Sequence, residues 1–139
     1  MRDLQYEKEI HKHRQKMTHI LADFRQDMGN WTEKDRLGIQ RALQILIEAM
    51  IGLSRYLVQQ KYSISVSRSR EALDELKSKG DLEKDNWEQV IRIVGFRNVL
   101  VQDYLTFNDA ILDAVMENRD YLFVDKIMLE MQDKLPAKE

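Results

Sequence analysis

The sequence contains no cysteine, one proline and five glycines among its 139 residues. The absence of cysteine excludes a disulfide framework and thiol catalysis, and it removes the ligands of most structural zinc sites. The scarcity of proline and glycine favours helices over turns. With 43% hydrophobic and 33% charged residues, this composition predicts a single globular, helix-rich domain over residues 1–139 rather than a disordered or β-rich chain.

Long hydrophobic runs and an excess of one charge are also missing. No apolar run approaches the ~18 residues that a membrane span requires, and the charged start of the chain, MRDLQYEKE, does not resemble a signal peptide. We therefore expect no membrane association and a cytoplasmic location. Twenty-two Lys and Arg residues against twenty-four Asp and Glu residues give a net charge of −2. Any contact with nucleic acid must therefore be local, because the whole molecule should not attract it nonspecifically.

The three histidines, His11, His13 and His19, all lie near the N-terminus. His11 and His13 would project from different faces of a helix. We interpret all three as solvated surface residues rather than as a weak metal site, and we predict no bound metal or cofactor. At the other end of the chain, the lone Pro136 lies in residues 134–139, which we predict to be a short flexible tail.

Hydrophobic periodicity predicts five helices with short connections and no internal repeat. Their predicted ranges are 4–28, 33–60, 69–79, 86–104 and 107–133. Gly29 and Gly80 mark helix ends, and Thr32 is a predicted N-terminal cap. Residues 63–69 alternate like a strand, but a single strand would have no partner, so we predict a loop. The fold class is therefore all-α, an antiparallel up-down bundle of about five helices.

Two of these helices carry wide apolar surfaces. On the second helix, one seam recurs at intervals of three and four residues, with further apolar residues beside it: Ile39, Leu43, Leu46, Met50, Leu53 and Leu57, flanked by Ile47, Ile51 and Val58. A surface this wide must be buried on more than one side, either by neighbouring helices of one bundle or by a second copy of the chain in a dimer. The predicted apolar face of the fifth helix consists of Leu112, Val115, Met116, Leu122, Phe123 and Ile127.

The predicted fourth helix combines apolar and polar groups on one face. Its three-four spacing puts a guanidinium and a phenol in line with apolar side chains: Val90, Ile93, Arg97, Leu100 and Tyr104. A charge on such a face needs an anion, a carboxylate or a water-filled cleft, because an unpaired buried charge is very costly. Arginine also suits bidentate binding of phosphate.

Asn98 and Gln102 are four residues apart and project together beside Arg97. These amides would be able to frame a phosphate or the edge of a base. In the alternative interpretation, Arg97 forms an ion pair with a carboxylate on another helix while Asn98 and Gln102 are merely solvated. The pattern by itself names no substrate and leaves both interpretations open.

Residues 95–104, GFRNVLVQDY, resemble the motif of the HepT-like branch of the HEPN domains. That motif has arginine, a polar residue that is often asparagine, a few further residues, and then histidine, one residue and tyrosine. Residues 41–58, RALQILIEAMIGLSRYLV, resemble the second helix of the same family. The resemblance rests chiefly on Arg97, Asn98 and Tyr104, and it extends over most of the chain through the order and length of the helices.

This resemblance implies a helical bundle that forms a homodimer, brings two motif copies to one cleft and acts on RNA as a metal-independent endoribonuclease toxin. It also implies a partner, an MNT-type nucleotidyltransferase antitoxin that transfers AMP to the motif tyrosine. By position, Arg97 would contact the scissile phosphate, Asn98 would support the catalytic site and Tyr104 would be the AMP acceptor. The general acid/base position, which is histidine in the family motif, falls on Gln102.

Glutamine at position 102 is a departure from the family pattern with a chemical consequence. A histidine can exchange protons near neutral pH, whereas a glutamine amide cannot. Two hypotheses follow. Either the chain is a ribonuclease toxin scaffold that is impaired or inactive at Gln102, by nature or by substitution, or it is a noncatalytic HEPN module that binds RNA or nucleotide as the partner subunit of a nucleotidyltransferase.

Overall fold

The computed structural model describes residues 2–102 and 107–137, and within these two stretches the chain forms six α-helices and no β-strand. The helices are α1 (Leu4–Gln26), α2 (Glu33–Tyr62), α3 (Ser69–Ser78), α4 (Lys84–Gln102), α5 (Asp109–Glu117) and α6 (Asp120–Asp133). The predicted all-α bundle is confirmed. The segment that alternates like a strand is a loop as predicted, up to the start of α3 at Ser69.

Local side-chain chemistry sets the ends of these helices. Thr32 and Asp35 form a capping box at the start of α2: the Thr32 hydroxyl accepts from the Asp35 N–H at 3.1 Å, and the Asp35 carboxylate accepts from the Thr32 N–H at 3.0 Å. Gly29 and Gly80 adopt φ values of 98° and 82° just after α1 and α3. Glycine enters this left-handed region at little cost, which explains why these two positions end the helices.

The predicted fifth helix is wrong as a single element, because residues 107–133 contain both α5 and α6. The break falls at Arg119, whose backbone adopts a left-handed φ of 53°. Residues 117–120 include no apolar side chain, so a straight helix would have turned a polar segment toward the core. The break allows Tyr121 and Val124 to be buried, and it leaves Leu122, which the single-helix pattern assigned to the core, 48% exposed.

Helix α2 is the centre of the bundle, in contact with α1, α3, α4 and α6. All nine apolar positions predicted on its seam and flank are buried within the single chain. The interpretation of α2 as the central helix of one bundle is therefore correct, and its wide apolar surface does not argue for a second copy. The homodimer remains a prediction that rests on the family resemblance.

By length and composition alone, α2 also meets the criteria for a membrane span. The sequence had suggested no such segment. However, 56% of the 18-residue stretch of α2 that meets these criteria is buried inside the bundle. The core helix of a soluble domain meets the same criteria. The burial of α2 by its four neighbouring helices makes this a weak indication of a span.

The last described residues pack against the N-terminus of the chain. Leu135 is buried, and the carbonyl of Pro136 accepts a hydrogen bond from Nη1 of Arg2 at 3.0 Å. These contacts join the end of α6 to the start of α1. The flexibility of residues 134–139 stays a prediction.

Candidate functional site around Arg97

The packing of α4 against α2 positions Arg97. Three residues on the inner face of α4, Val90, Ile93 and Leu100, are buried as the spacing predicted. Arg97 lies on the same face, and its side chain is only 20% exposed. Its Nη1 atom lies 3.9 Å from Oε1 of Glu48 on α2, so a guanidinium is held half-buried between two helices.

Among the described residues, the contact with Glu48 does not satisfy the donors of Arg97. A distance of 3.9 Å allows Coulomb attraction but exceeds the ~2.7–3.2 Å of an N–H···O hydrogen bond. Moreover, Nε of Arg97 is buried and donates to no acceptor among the residues that the structure describes. An unsatisfied buried donor costs about 1–3 kcal/mol, so an anion that reached this guanidinium would gain hydrogen bonds as well as charge pairing.

The sequence left open whether Arg97 pairs with a carboxylate or binds an anion. The ion pair between α4 and α2 exists, so the first interpretation is correct in part. It accounts for the burial of the charge but not for the five donors of the guanidinium. The arrangement can therefore still receive a phosphate, provided that Glu48, whose side chain is 45% exposed, moves aside or shares the arginine.

Asn98 and Gln102 lie on the exposed side of the last turns of α4. Neither side chain hydrogen-bonds to another described residue. On a regular helix, Gln102 projects about 140° away from Arg97, because successive residues are rotated by about 100°. Within one chain, α4 therefore does not direct Arg97 and Gln102 to a common point. Tyr104, the candidate AMP acceptor, lies outside the described residues.

The outer face of α4 beside these amides is open and partly apolar. Val99 and Val101 are 37% and 44% exposed. A Cβ atom added to Gly95 would meet no heavy atom within 4 Å among the described residues. Packing inside the described chain therefore places no steric demand for glycine at position 95, which lies on the helix that carries the motif.

A cavity of about 310 Å³ opens between α4 and the α5–α6 pair, with α2 as its floor. Its walls combine apolar groups with polar side chains at the edge, among them Phe96, Val115, Gln89, Arg92 and Asp120. Burial raises the pKa of the Asp120 carboxyl, and the nearby Arg92 opposes that rise. Arg97 does not line this cavity, so the cavity and the guanidinium are separate features of α4.

The sequence reasoning missed a polar cluster that joins α1, α2 and α6. The carboxylate of Glu7 is only 5% exposed and accepts hydrogen bonds from Arg2, the Tyr56 hydroxyl at 2.5 Å and the Gln132 amide at 3.0 Å. The Arg2 hydrogen bond is the main reason why the pKa of Glu7 falls to about 2. Burial and the same carboxylate raise the pKa of Tyr56 to about 12.

His11 extends this cluster, so its assignment as a solvated residue was wrong. Its Nδ1 accepts from Nε of Arg14 at 3.1 Å, which places the ring proton on Nε2, and Nε2 lies 2.7 Å from Oε1 of Gln132. His13 and His19 are exposed as expected. In the described parts of the chain, no group of three or more His, Asp or Glu side chains is arranged to hold a metal ion. A half-buried histidine on an otherwise polar helix face has no sequence signal that distinguishes it from a solvated one.

The chain belongs to the HepT-like ribonuclease family, whose model matches residues 4–127. The family that the motif predicted is thus confirmed. No significant match was found among curated proteins.

Three solved structures share this fold. A tri-AMPylated HEPN toxin of Shewanella oneidensis, in complex with MNT antitoxin, is 17% identical with a TM-score of 0.75, over 96% of this chain and 99% of that one. A toxin–antitoxin structure with AMP-PNP is 18% identical with a TM-score of 0.70, over 94% and 99% of the two chains. YutE of Bacillus subtilis, a cytosolic protein of unknown function, is 18% identical with a TM-score of 0.71, over 95% of each chain.

Proposed function

We propose that this chain is a HepT-like toxin of a toxin–antitoxin pair, an endoribonuclease scaffold whose catalysis is impaired because Gln102 occupies the position of the motif histidine. The observation that carries the proposal is the half-buried Arg97, whose Nε has no acceptor among the described residues and which stands in the motif of a family of ribonucleases. Such a cation suits the phosphate of an RNA backbone, because planar guanidinium donors match phosphate oxygens in pairs.

RNA cleavage without a metal ion requires two proton transfers. The ribose 2′-oxygen attacks the adjacent phosphorus as it loses its proton to a base, and the bond to the 5′-oxygen breaks as that oxygen gains a proton from an acid. Arg97 would stabilise the charge that develops on the phosphate oxygens. Gln102 can hold a phosphate oxygen but does not titrate, so the loss of the general acid/base should reduce the rate by ~10²–10⁴-fold.

The decisive experiment is to install the motif histidine. Gln102→His should create metal-independent cleavage of RNA, measured on denaturing gels in EDTA, and growth arrest on induction. Arg97→Ala in that background should remove both effects, whereas Arg68→Ala, on the exposed start of α3, should leave them unchanged. A folded Gln102→His protein that is inert in both assays would refute the impaired-toxin proposal.

The second candidate function is a noncatalytic HEPN module that binds RNA or nucleotide as the partner subunit of a nucleotidyltransferase. The presence of a non-titrating residue at position 102 is the observation that favours it. The noncatalytic module differs from the first proposal in what the histidine does, because the Gln102→His protein should still not cleave RNA. The unmodified chain should bind RNA or nucleotide with an affinity that depends on Arg97.

The proposed assembly is a homodimer that also binds an MNT-type nucleotidyltransferase antitoxin. The divergence of Arg97 and Gln102 on α4 supports the homodimer, because a second copy would supply the missing group from across a shared cleft. The complexes formed by two of the similar solved structures support the antitoxin partner. We further propose a cytoplasmic location, as for the similar cytosolic protein of Bacillus subtilis.

Tyr104 is the proposed acceptor of AMP. Incubation of the chain with its nucleotidyltransferase and ATP should add the mass of adenylate to the peptide that contains Tyr104. Tyr104→Phe should abolish that addition, whereas Tyr62→Phe, which removes a phenol at the end of α2, should not. Modification that persists in the Tyr104→Phe protein would refute the assignment.

A further inference from the structure

The side of α2 that is not buried in the core forms one stripe along the helix. Between residues 41 and 59, the residues that are not buried fall on this stripe: Arg41, Gln44, Ile45, Glu48, Gly52, Arg55, Tyr56 and Gln59. Helix α1 covers one edge of the stripe, where Tyr6 lies against Gly52 and Tyr56, so the open part carries Arg41, Gln44, Glu48, Arg55 and Gln59. Arg41, Glu48 and Arg55 are spaced by seven residues, so they remain aligned to within about 20° per step. We refer to this surface as the α2 stripe.

Two arginines of the α2 stripe have no carboxylate partner among the described residues. Arg41 and Arg55 form no ion pair within 4.0 Å in the ranges 2–102 and 107–137, and Nε of Arg55 is buried without an acceptor there. Arg55 opens onto a pocket of about 350 Å³, whose edge includes Tyr6, Gln59, Ser65 and also the acidic Asp3. The cation is therefore accessible, and its surroundings are mostly neutral hydrogen-bonding groups.

Arg97 reaches the same stripe from α4. It contacts Glu48, which lies midway between Arg41 and Arg55. The stripe and its edge thus combine three arginines with two carboxylates, Glu48 beside Arg97 and Asp3 at the pocket of Arg55. In a chain whose net charge is −2, this is a local positive surface of the kind that nucleic-acid binding requires when the whole molecule does not attract phosphate.

The spacing of these cations fits a nucleic-acid strand. Seven residues of α-helix rise about 10.5 Å, so Arg41 and Arg55 lie about that far on either side of the Glu48–Arg97 contact. At about 3.4 Å per stacked nucleotide, each interval corresponds to about three nucleotides. A strand whose scissile phosphate lies at Arg97 would therefore present further phosphates to both outer arginines.

We infer that the α2 stripe is the path of a single RNA strand, with Arg41 and Arg55 as positioning residues that contact backbone phosphates on either side of the phosphate bound by Arg97. This inference rests on the proposed function, because it assigns the substrate's path to the proposed site. Basic grooves that follow the backbone of a single strand bind without strict sequence preference, so we expect Arg41 and Arg55 to set affinity and register rather than sequence.

The test is the affinity of the full chain for a fluorescein-labelled RNA of ten nucleotides, measured by anisotropy in EDTA between 50 and 200 mM salt. Arg41→Gln and Arg55→Gln should each weaken binding roughly tenfold and reduce the magnitude of the log–log salt slope by about 0.7, the value for one phosphate contact on a single strand. Arg41→Lys and Arg55→Lys should retain most of the affinity. Arg68→Gln, which removes an 84% exposed arginine that is not part of the stripe and lies beside Glu71, is the matched control.

Failure of the inference and failure of the proposed function give different results. If the Arg41 and Arg55 variants bind RNA like the Arg68 control while Arg97→Ala loses affinity, the inference is overturned and the proposed function stands. If neither the unmodified chain nor Gln102→His binds RNA, both fail. If the stripe variants lose dimerisation or antitoxin binding with unchanged RNA affinity, the stripe is a protein interface and the inference is wrong.

Discussion

Nη1 of Arg97 lies 3.9 Å from Oε1 of Glu48, and no other carboxylate of residues 2–102 and 107–137 pairs with it, so Glu48 attracts the motif arginine without saturating its donors there. This relationship makes Glu48 a competitor of any phosphate that approaches Arg97. It also shields the cation in the absence of ligand, because a half-buried guanidinium without any counter-charge would be costly. The pair can therefore hold a binding residue in place without blocking it.

Glu48→Gln should raise the affinity of the chain for RNA by about twofold to tenfold, because the neutral amide no longer competes for Arg97 or repels phosphate. The free energy of unfolding should change by less than about 1 kcal/mol, since Glu48 is half-exposed and the ion pair is long. Anisotropy titrations and urea denaturation measure the two effects. Glu71→Gln, at a similarly exposed position on α3, is the control, and an affinity that falls would contradict the competitor role.

Gly95→Ala and Gly95→Leu test the predicted homodimer. Because a side chain at position 95 meets nothing within 4 Å in the described chain, alanine should stabilise an isolated bundle by about 0.5–1 kcal/mol through helix propensity. If a second copy packs closely on α4, leucine should instead shift the protein toward monomers in sedimentation equilibrium. A chain that is monomeric before substitution would eliminate the dimer itself.

Glu7→Gln should destabilise the fold by about 2–3 kcal/mol at pH 7, because it removes the charge that satisfies Arg2, Tyr56 and Gln132 in a buried cluster. The pKa of Glu7 is lowered to about 2, so its contribution is complete above the unfolded value of about 4.3 and is lost as the pH falls toward 2. Chemical denaturation from pH 7 to pH 2 should show the difference between variant and original chain shrinking in that window. Glu9→Gln, at an exposed position on α1, should produce no such dependence.

Arg119→Gly should stabilise the protein by about 1 kcal/mol. Arg119 holds a left-handed φ of 53° at the junction of α5 and α6, and that conformation costs an L-residue with a Cβ about 1–2 kcal/mol that glycine largely avoids. Asn118→Gly is the matched control, because Asn118 has a right-handed helical conformation and glycine there should be neutral or destabilising. Thermal unfolding of the two variants in parallel measures the difference.

The sequence by itself determined the all-α class, the wide apolar surface of α2 and the family. These three properties depend on local periodicity and on a linear motif. The apolar residues of the α2 seam recur at intervals of three and four, and Arg97, Asn98 and Tyr104 have the spacing of the family motif. Helix ends at Gly29, Thr32 and Gly80 were also predictable, because caps and left-handed turns are made by neighbouring residues.

Only the tertiary structure decided which groups meet across helices. Three contacts join residues that are far apart in the chain: Arg97 with Glu48, Glu7 with Tyr56 and Gln132, and His11 with Gln132. No sequence periodicity predicts such contacts. The break at Arg119 has the same origin, since a locally unfavourable backbone conformation is retained when it lets Tyr121 and Val124 reach the core. Burial of the whole apolar surface of α2 within one bundle is likewise a result of packing, which a single helix pattern cannot distinguish from burial in a dimer.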